Sequence, residues 1–218
     1  MGVARLMYLK GDMSYAQGGA DRSEEATDEA LFQRVAEGDA RAYRGLVDRH
    51  AAPQFRYARR LLGNGDDAQE VVQEAFLRVW REAGRWRPGQ AKFTTWLYRV
   101  VTNLCIDRKR RWRVLFTDQP PERADEGPAA DGRMMAAEQA AALQGCLDAL
   151  APRQRSAILL CYFEEMSNRE AAEVMGLSVD ALESLLTRGR QRLRELLARQ
   201  GIDKTDWYNE SQETDRHY

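Results

Sequence analysis

Between Thr117 and Arg133 the 218-residue chain carries Pro120, Pro121, Pro128, Gly127, Gly132 and five acids, with few large apolar side chains. Proline interrupts helices and sheet ladders, and a stretch poor in apolar side chains has too little to bury to offset its ordering entropy. No core element is expected to cross this segment, so the chain divides in two. The expected division is residues 1–25 as a Gly-rich, unpatterned and mostly disordered tail, and 26–113 as a first domain. Residues 114–135 form an acidic linker, 136–199 a second domain and 200–218 a polar tail.

Both domains read as helical. No β-type alternation is found, and the expected fold class is all-α: two small helical domains joined by a flexible acidic linker. Gly63-Asn64-Gly65 and Arg87-Pro88-Gly89 punctuate the first domain. After the earlier turn, Asp66 with Gln69 three residues on resembles a capping box. Val72, Ala75, Phe76, Val79 and Ala83 then recur at helical spacing and predict a buried stripe. Asp67, Glu70 and Glu74 recur on a neighbouring face as an acidic ridge. Acids near a helix N-terminus also favour the macrodipole, which explains Asp66 and Asp67 but not Glu74.

Composition narrows the function classes. Hydrophobic residues make up 44% and charged residues 31%, at a mean hydropathy of -0.63. No apolar run approaches the roughly 18 residues of a membrane helix, so no stable membrane insertion is expected. Leu6–Leu9 is too short for a signal peptide's apolar segment. Three cysteines and two histidines supply neither a disulfide framework nor a metal cluster. The reading is a cytoplasmic protein with reduced cysteines and no cofactor. Cys105 lies beside an apolar stripe and is expected to pack rather than sense oxidants. No phosphate-binding glycine loop, nucleophile motif or acid–base pair is present, which argues against an enzyme.

The net charge of -1 conceals strong segregation. Eleven Lys or Arg lie between Phe76 and Arg113, opposed by Glu82 and Asp107 alone. Such a block points to a polyanion. Within it, Trp80, Trp86, Phe93, Trp96 and Tyr98 interleave with Arg81, Arg85, Arg87, Lys92 and Arg99. Aromatic faces stack unpaired bases while cations hold phosphates, a combination suited to single-stranded nucleic acid. Trp96, Val100 and Leu104, with Leu97 and Val101 beside them, are expected to face the core, and Trp80 to join the core of the preceding helix. Trp86, beside Pro88-Gly89, is the best candidate for base stacking. The run Arg108-Lys109-Arg110-Arg111 suits either a phosphate contact or a solvated helix end.

The second domain carries its own signal. Ser167-Asn168-Arg169-Glu170 fits a capping box, and Gly176 ends the short helix it opens. Ala171, Ala172, Leu177, Val179, Leu182 and Leu185 fall where a helix-turn-helix needs them. Ordinary helical hairpins also carry such patterns. Arg188, Arg190, Arg192 and Arg194 add phosphate-binding potential to the second helix.

These segments together resemble one family. Asp66–Phe76 is similar to the core-polymerase-binding helix of extracytoplasmic-function sigma factors of bacterial RNA polymerase. Phe93-Thr94-Thr95-Trp96-Leu97-Tyr98-Arg99-Val100-Val101-Thr102-Asn103 resembles that family's melting and −10-recognition helix, and Leu150–Arg155 the entry to its second domain. The matches are collinear from about Glu29 to Leu197. The resemblance implies a factor that brings core RNA polymerase to promoters and helps open them, in a stress or environmental response. It implies that Asp67, Glu70 and Glu74 dock on core polymerase. It places Trp86, Lys92, Arg99, Asn103 and Arg110 at the melted −10 DNA. The helix from about Ser178 would read the −35 duplex, and an anti-sigma factor is the expected regulatory partner. Bending the linker through the polymerase cleft or leaving it as a solvated spacer fits its charge equally.

One stretch departs from the pattern. Where the family's recognition helix has Thr-Val, a basic residue, Ser and Arg, this chain has Ala181, Leu182, Glu183, Ser184 and Leu185. A carboxylate repels phosphate but accepts a hydrogen bond from a cytosine amino group. An unusual −35 preference centred on Glu183, Ser184, Arg188 and Arg190 is therefore expected. Two rival readings remain: a stand-alone helix-turn-helix repressor, which leaves the basic aromatic block without a purpose, and a sigma-like regulator that sequesters another factor.

Overall fold

The computed structural model describes residues 26–86, 92–115 and 141–201, all helix or short connection with no strand among them. In the first domain, the Thr27 hydroxyl accepts from the Ala30 N–H and opens helix α1 (Asp28–Ala36). Asp39 caps α2 (Ala40–Leu62) by accepting from the N–H groups of Arg41 and Ala42. Gly63 ends α2 in the left-handed region at φ 79°, which glycine adopts without a Cβ clash. The next helix, α3 (Gly65–Glu82), is capped by Asn64, whose side chain accepts from Asp66 and Asp67. The cap thus lies two residues before the expected Asp66. Asn64 holds extended backbone and reaches back to two orphan N–H groups, while Asp66 already sits in the first turn. A tight turn (Ala83–Arg85) leads to Trp86, and α4 (Phe93–Leu115) completes the domain.

The predicted α3 stripe is buried along its length, from Val72 to Ala83. Trp80 is not part of it. Its side chain is 44% exposed and stands edge-on to Tyr43 at 5.3 Å, because it falls about 100° around the helix from Val79. On α4 the buried positions are Phe93, Leu97, Val100, Val101 and Cys105. Leu97, Val100 and Val101 are buried as expected, but Trp96 and Leu104 only flank the core, half-buried. Beneath them, Tyr57 of α2 and Thr102 of α4 share a buried hydroxyl–hydroxyl hydrogen bond of 2.8 Å. That bond satisfies both polar groups and ties α4 to the domain centre.

The second domain opens with helix α5 over 141–148. Pro152 occupies the first turn of α6 (Pro152–Ile158), where its missing N–H costs nothing. The chain then widens into a π turn (Leu159–Phe163), with the Glu164 N–H bonded to the Leu159 carbonyl at 3.0 Å. Ser167 and Glu170 form the expected capping box of α7 (Asn168–Met175). Gly176, at φ 63°, ends α7, and the Ser178 hydroxyl caps α8 (Val179–Arg199). Leu182, Leu186, Leu193 and Leu197 bury one face of α8. At Gly189 an added Cβ would lie 3.0 Å from Ile158 Cδ1, so glycine lets α8 cross α6 closely. The two tails, residues 87–91, most of the expected linker and the first residues of the expected second domain, 136–140, lie outside the described residues.

Candidate nucleic-acid interface

The outer side of α4 follows from its buried side. With Leu97 and Val101 turned inward, positions 92, 99, 103 and 110 point away from them. Steps of seven, four and seven residues turn by about −20°, +40° and −20° on a helix, so Lys92, just before α4, and Arg99, Asn103 and Arg110 on it form one strip. All four are exposed. Arg110 is 79% exposed, with Asp107 at 3.9 Å as an ion-pair partner. The sequence-predicted cations thus fall on a single line along the first domain.

Trp86 sits at the end of the tight turn and is half-buried. Its ring centroid lies 5.4 Å from that of Phe32, and its Nε1 is buried without a hydrogen-bond partner among the described residues. One side of the indole is therefore committed to the core. The turn brings it near the start of α4, since Phe32 also touches Phe93 and Trp96.

The acidic ridge of α3 is engaged within the molecule. Arg108 of α4 bridges Asp67 and Glu70, the latter at 2.8 Å. Glu74 holds Arg81 at 2.9 Å and Arg78 at 3.2 Å. Asp67 is mostly covered at 15% exposure, whereas Glu70 remains 65% exposed. Of the basic run that ends α4, Arg108 serves this ridge and Lys109 turns inward toward Asp148 at 3.7 Å. Arg108 and Lys109 thus make intramolecular ion pairs, which is neither the phosphate contact nor the solvated helix end that the sequence left open.

On α8, Asp180, Glu183, Ser184, Thr187 and Arg188 line one open surface groove opposite the buried leucines. Their spacing of three, four, seven and eight is that of one helix face. The Asn168 amide of α7 donates to Glu183 at 3.4 Å, and Arg188 Nε donates to the Ser184 carbonyl at 3.1 Å. Arg190, seven residues on from Glu183, is tied down instead: its guanidinium donates to the hydroxyl of Tyr162, in the π turn, at 3.0 Å. Asp180 and Thr187 were missed by sequence reasoning, although counting helical steps from Ser184 would have found them.

Comparison with known proteins matches residues 46–114 to the sigma-70 region 2 family and residues 140–193 to sigma-70 region 4. The extracytoplasmic-function sigma factor SigE of Mycolicibacterium smegmatis is 38% identical over 81% of this chain and 70% of its own length. SigW of Bacillus subtilis is 30% identical over 76% of this chain and 94% of its own. The chain belongs to the extracytoplasmic-function sigma factors. Among solved structures, CnrH in complex with the cytosolic domain of CnrY aligns at a TM-score of 0.60 and 29% identity. The alignment covers 78% of this chain and 97% of CnrH.

Membership makes this sigma factor a transcription-initiation protein that directs RNA polymerase to promoters, in a family that is not catalytic. The α4 strip falls inside the region 2 match and the α8 groove inside the region 4 match. No helix among the described residues is long and apolar enough to cross a membrane. Burial pushes the Cys105 thiol of the sigma factor up to about 12, against the pull of Lys109 and Arg108. A thiol so held is inert at neutral pH, as its packing position predicts.

Proposed function

We propose that this sigma factor holds core RNA polymerase through the α3 face carrying Asp67, Glu70 and Glu74, and reads promoter DNA with two separate surfaces. The α4 strip of Lys92, Arg99, Asn103 and Arg110 meets the melted −10 strand. Trp86, at the head of that strip, offers the part of its indole not packed on Phe32 to an extruded base. Stacking and polar contacts of this kind offset the few kcal/mol that unstacking a base costs. The α8 face of Glu183, Ser184 and Arg188 enters the −35 major groove, with Arg190 anchored beside it. Fewer cations on that face than the family pattern carries weaken its hold on phosphate and shift weight to base contacts.

The observation that carries this reading is the alignment of four exposed polar side chains, three of them cationic, on one line of α4. A solvated helix face does not require that order, whereas a bound strand does. At the acidic ridge, polymerase must compete with Arg108 for Asp67 and Glu70. The factor works in the cytoplasm, without a cofactor, in a stress or environmental response. Family resemblance also supports an anti-sigma protein as the partner that keeps it inactive.

Transcription from a randomised promoter library, with purified core polymerase and with or without the chain, tests the proposal. Selective, chain-dependent initiation is expected, and Arg99→Ala and Asn103→Ala should abolish most of it without loss of core binding. Neither initiation nor core binding would overturn the reading and favour a helix-turn-helix repressor.

A further inference from the structure

We infer that Glu29 of α1 is a positioning residue for promoter opening, supplying from outside α4 the cap that Lys92 cannot give. The inference rests on the functional reading of α4 given above, and it adds a residue that lies ahead of the region 2 match at 46–114. Lys92 stands immediately before α4, and its carbonyl accepts from the Trp96 N–H at 3.1 Å, so it holds the N-cap position. That position favours Ser, Thr, Asp or Asn, whose side chains accept from the orphan N–H groups of the first turn. An ammonium has donors only, and a cation at a helix N-terminus opposes the macrodipole. The N–H of Phe93, a fully buried residue, donates instead to Glu29 Oε1 at 3.0 Å, across sixty-four residues. The carboxylate thus satisfies an orphan donor and sets an anion where the dipole favours one. A Ser or Asp at 92 would cap α4 locally but would take a cation off the −10 strip.

The start of α1 is itself held in place. Arg49 of α2 donates to the Ala26 carbonyl at 2.8 Å and to Asp28 Oδ1 at 2.9 Å, and His50 Nε2 lies 2.7 Å from Asp28 Oδ2. These contacts pin the first turn of α1 to α2, with Glu29 next in line. Three residues on, Phe32 is fully buried among Trp86, Phe93 and Trp96, at ring-centroid distances of 5.4, 4.9 and 5.2 Å. A step of three puts Glu29 and Phe32 on one face of α1. That face therefore fixes Trp86 by packing, and the first turn of α4 by packing and a hydrogen bond together. Without the bond the first turn of α4 frays, and Lys92 loses its bearing relative to Trp86 at the head of the strip.

Two measurements on the full chain test the role. Amide hydrogen exchange read by NMR follows the Phe93 N–H in the free protein. Fluorescence of 2-aminopurine follows base opening in the −10 element of a promoter that the wild type selects from the randomised library, with core polymerase present. Glu29→Ala removes the acceptor, whereas Glu29→Gln keeps one. Glu29→Ala should speed Phe93 exchange and slow opening by roughly fivefold each, the effect of losing one helix cap, with core binding unchanged. Glu29→Gln should keep both close to wild type. Asp39→Ala, which uncaps α2 in the same domain, should lower the Tm to a similar extent yet leave opening unchanged. Unaltered Phe93 exchange in Glu29→Ala would overturn the cap, and equal losses in Glu29→Ala and Glu29→Gln would overturn the hydrogen bond as the cause. Faster exchange with normal opening, or an opening defect as large in Asp39→Ala, would overturn the positioning role. No promoter opened by the wild type would overturn the functional reading of α4, and the positioning role with it, while the exchange data would still report the bond.

Discussion

Gly63→Ala provides a direct test of how the two domains meet. Gly63 sits at φ 79°, so any side chain there enters the left-handed region at a cost of about 1–2 kcal/mol. The site carries a second demand. A Cβ at Gly63 would lie 2.9 Å from both carboxylate oxygens of Asp148 and 3.2 Å from its Cγ. Asp148 cannot swing away freely, because Arg155 holds it at 2.6 Å, Gln144 at 3.3 Å and Lys109 at 3.7 Å. Displacing it strains a charge-assisted hydrogen bond, a class of contact worth about 1.5–3 kcal/mol. With that bond lost in full the two costs come to about 2.5–5 kcal/mol. Gly38→Ala is the matched control: φ is 87° there, yet no atom lies within 4 Å of the added Cβ, so only the backbone cost applies. Urea unfolding followed by far-ultraviolet circular dichroism gives both values. The pair Gly63→Ala with Asp148→Ala should show a coupling of about 1–2 kcal/mol, since the second change removes the obstacle. Equal costs for Gly63→Ala and Gly38→Ala, with no coupling to Asp148, would refute the packing argument and show that Asp148 does not sit over Gly63 in solution.

Three further outcomes follow from single groups. Ser167→Ala removes the hydroxyl that accepts from the Glu170 N–H and should cost about 1 kcal/mol, read as a lower Tm. The Ser167 side chain and backbone hold Glu170 below its ordinary value, so the wild-type advantage is present above the usual glutamate range and shrinks as pH falls through it. Burial, with Arg155 adding repulsion and Asp148 opposing, lowers Lys109 to about 8. The folded state then binds fewer protons than the unfolded one between about pH 8 and 10.5, and this group's contribution to stability rises with pH across that window. Lys109→Met should flatten the rise and stabilise the protein at pH 7 by something on the order of 1–3 kcal/mol, at about 1.4 kcal/mol per pKa unit; an unchanged pH profile in urea titrations would contradict it. Glu183→Ala should relax the selected −35 sequence at one base pair, and an unaltered selection would show that Glu183 reads no base.

Much of this molecule is local, and local features are legible. The capping box at Ser167, the αL glycine at Gly176 and the buried α3 stripe depend on residues within a turn or two of each other. So does the α4 strip, because helix geometry converts spacing directly into direction. Where local reading faltered, a neighbour decided. Asn64 took the α3 cap from Asp66, and Trp80 lies outside the core because its neighbour Val79 holds the inward position on α3.

By itself, the sequence determined that the chain is helical, that it divides at the Pro- and acid-rich segment, and which helices carry the cations. These outcomes depend on backbone sterics, hydrophobic period and charge, all of which act over short separations along the chain. Only the tertiary structure decided who partners whom. Asp67 and Glu70 find Arg108 some forty residues away, and Arg155 closes the end of α2 across ninety-four. A buried guanidinium and an orphan carbonyl have many potential partners in a sequence. Which of them meet is set when two apolar faces pack and bring distant helix ends within hydrogen-bonding distance.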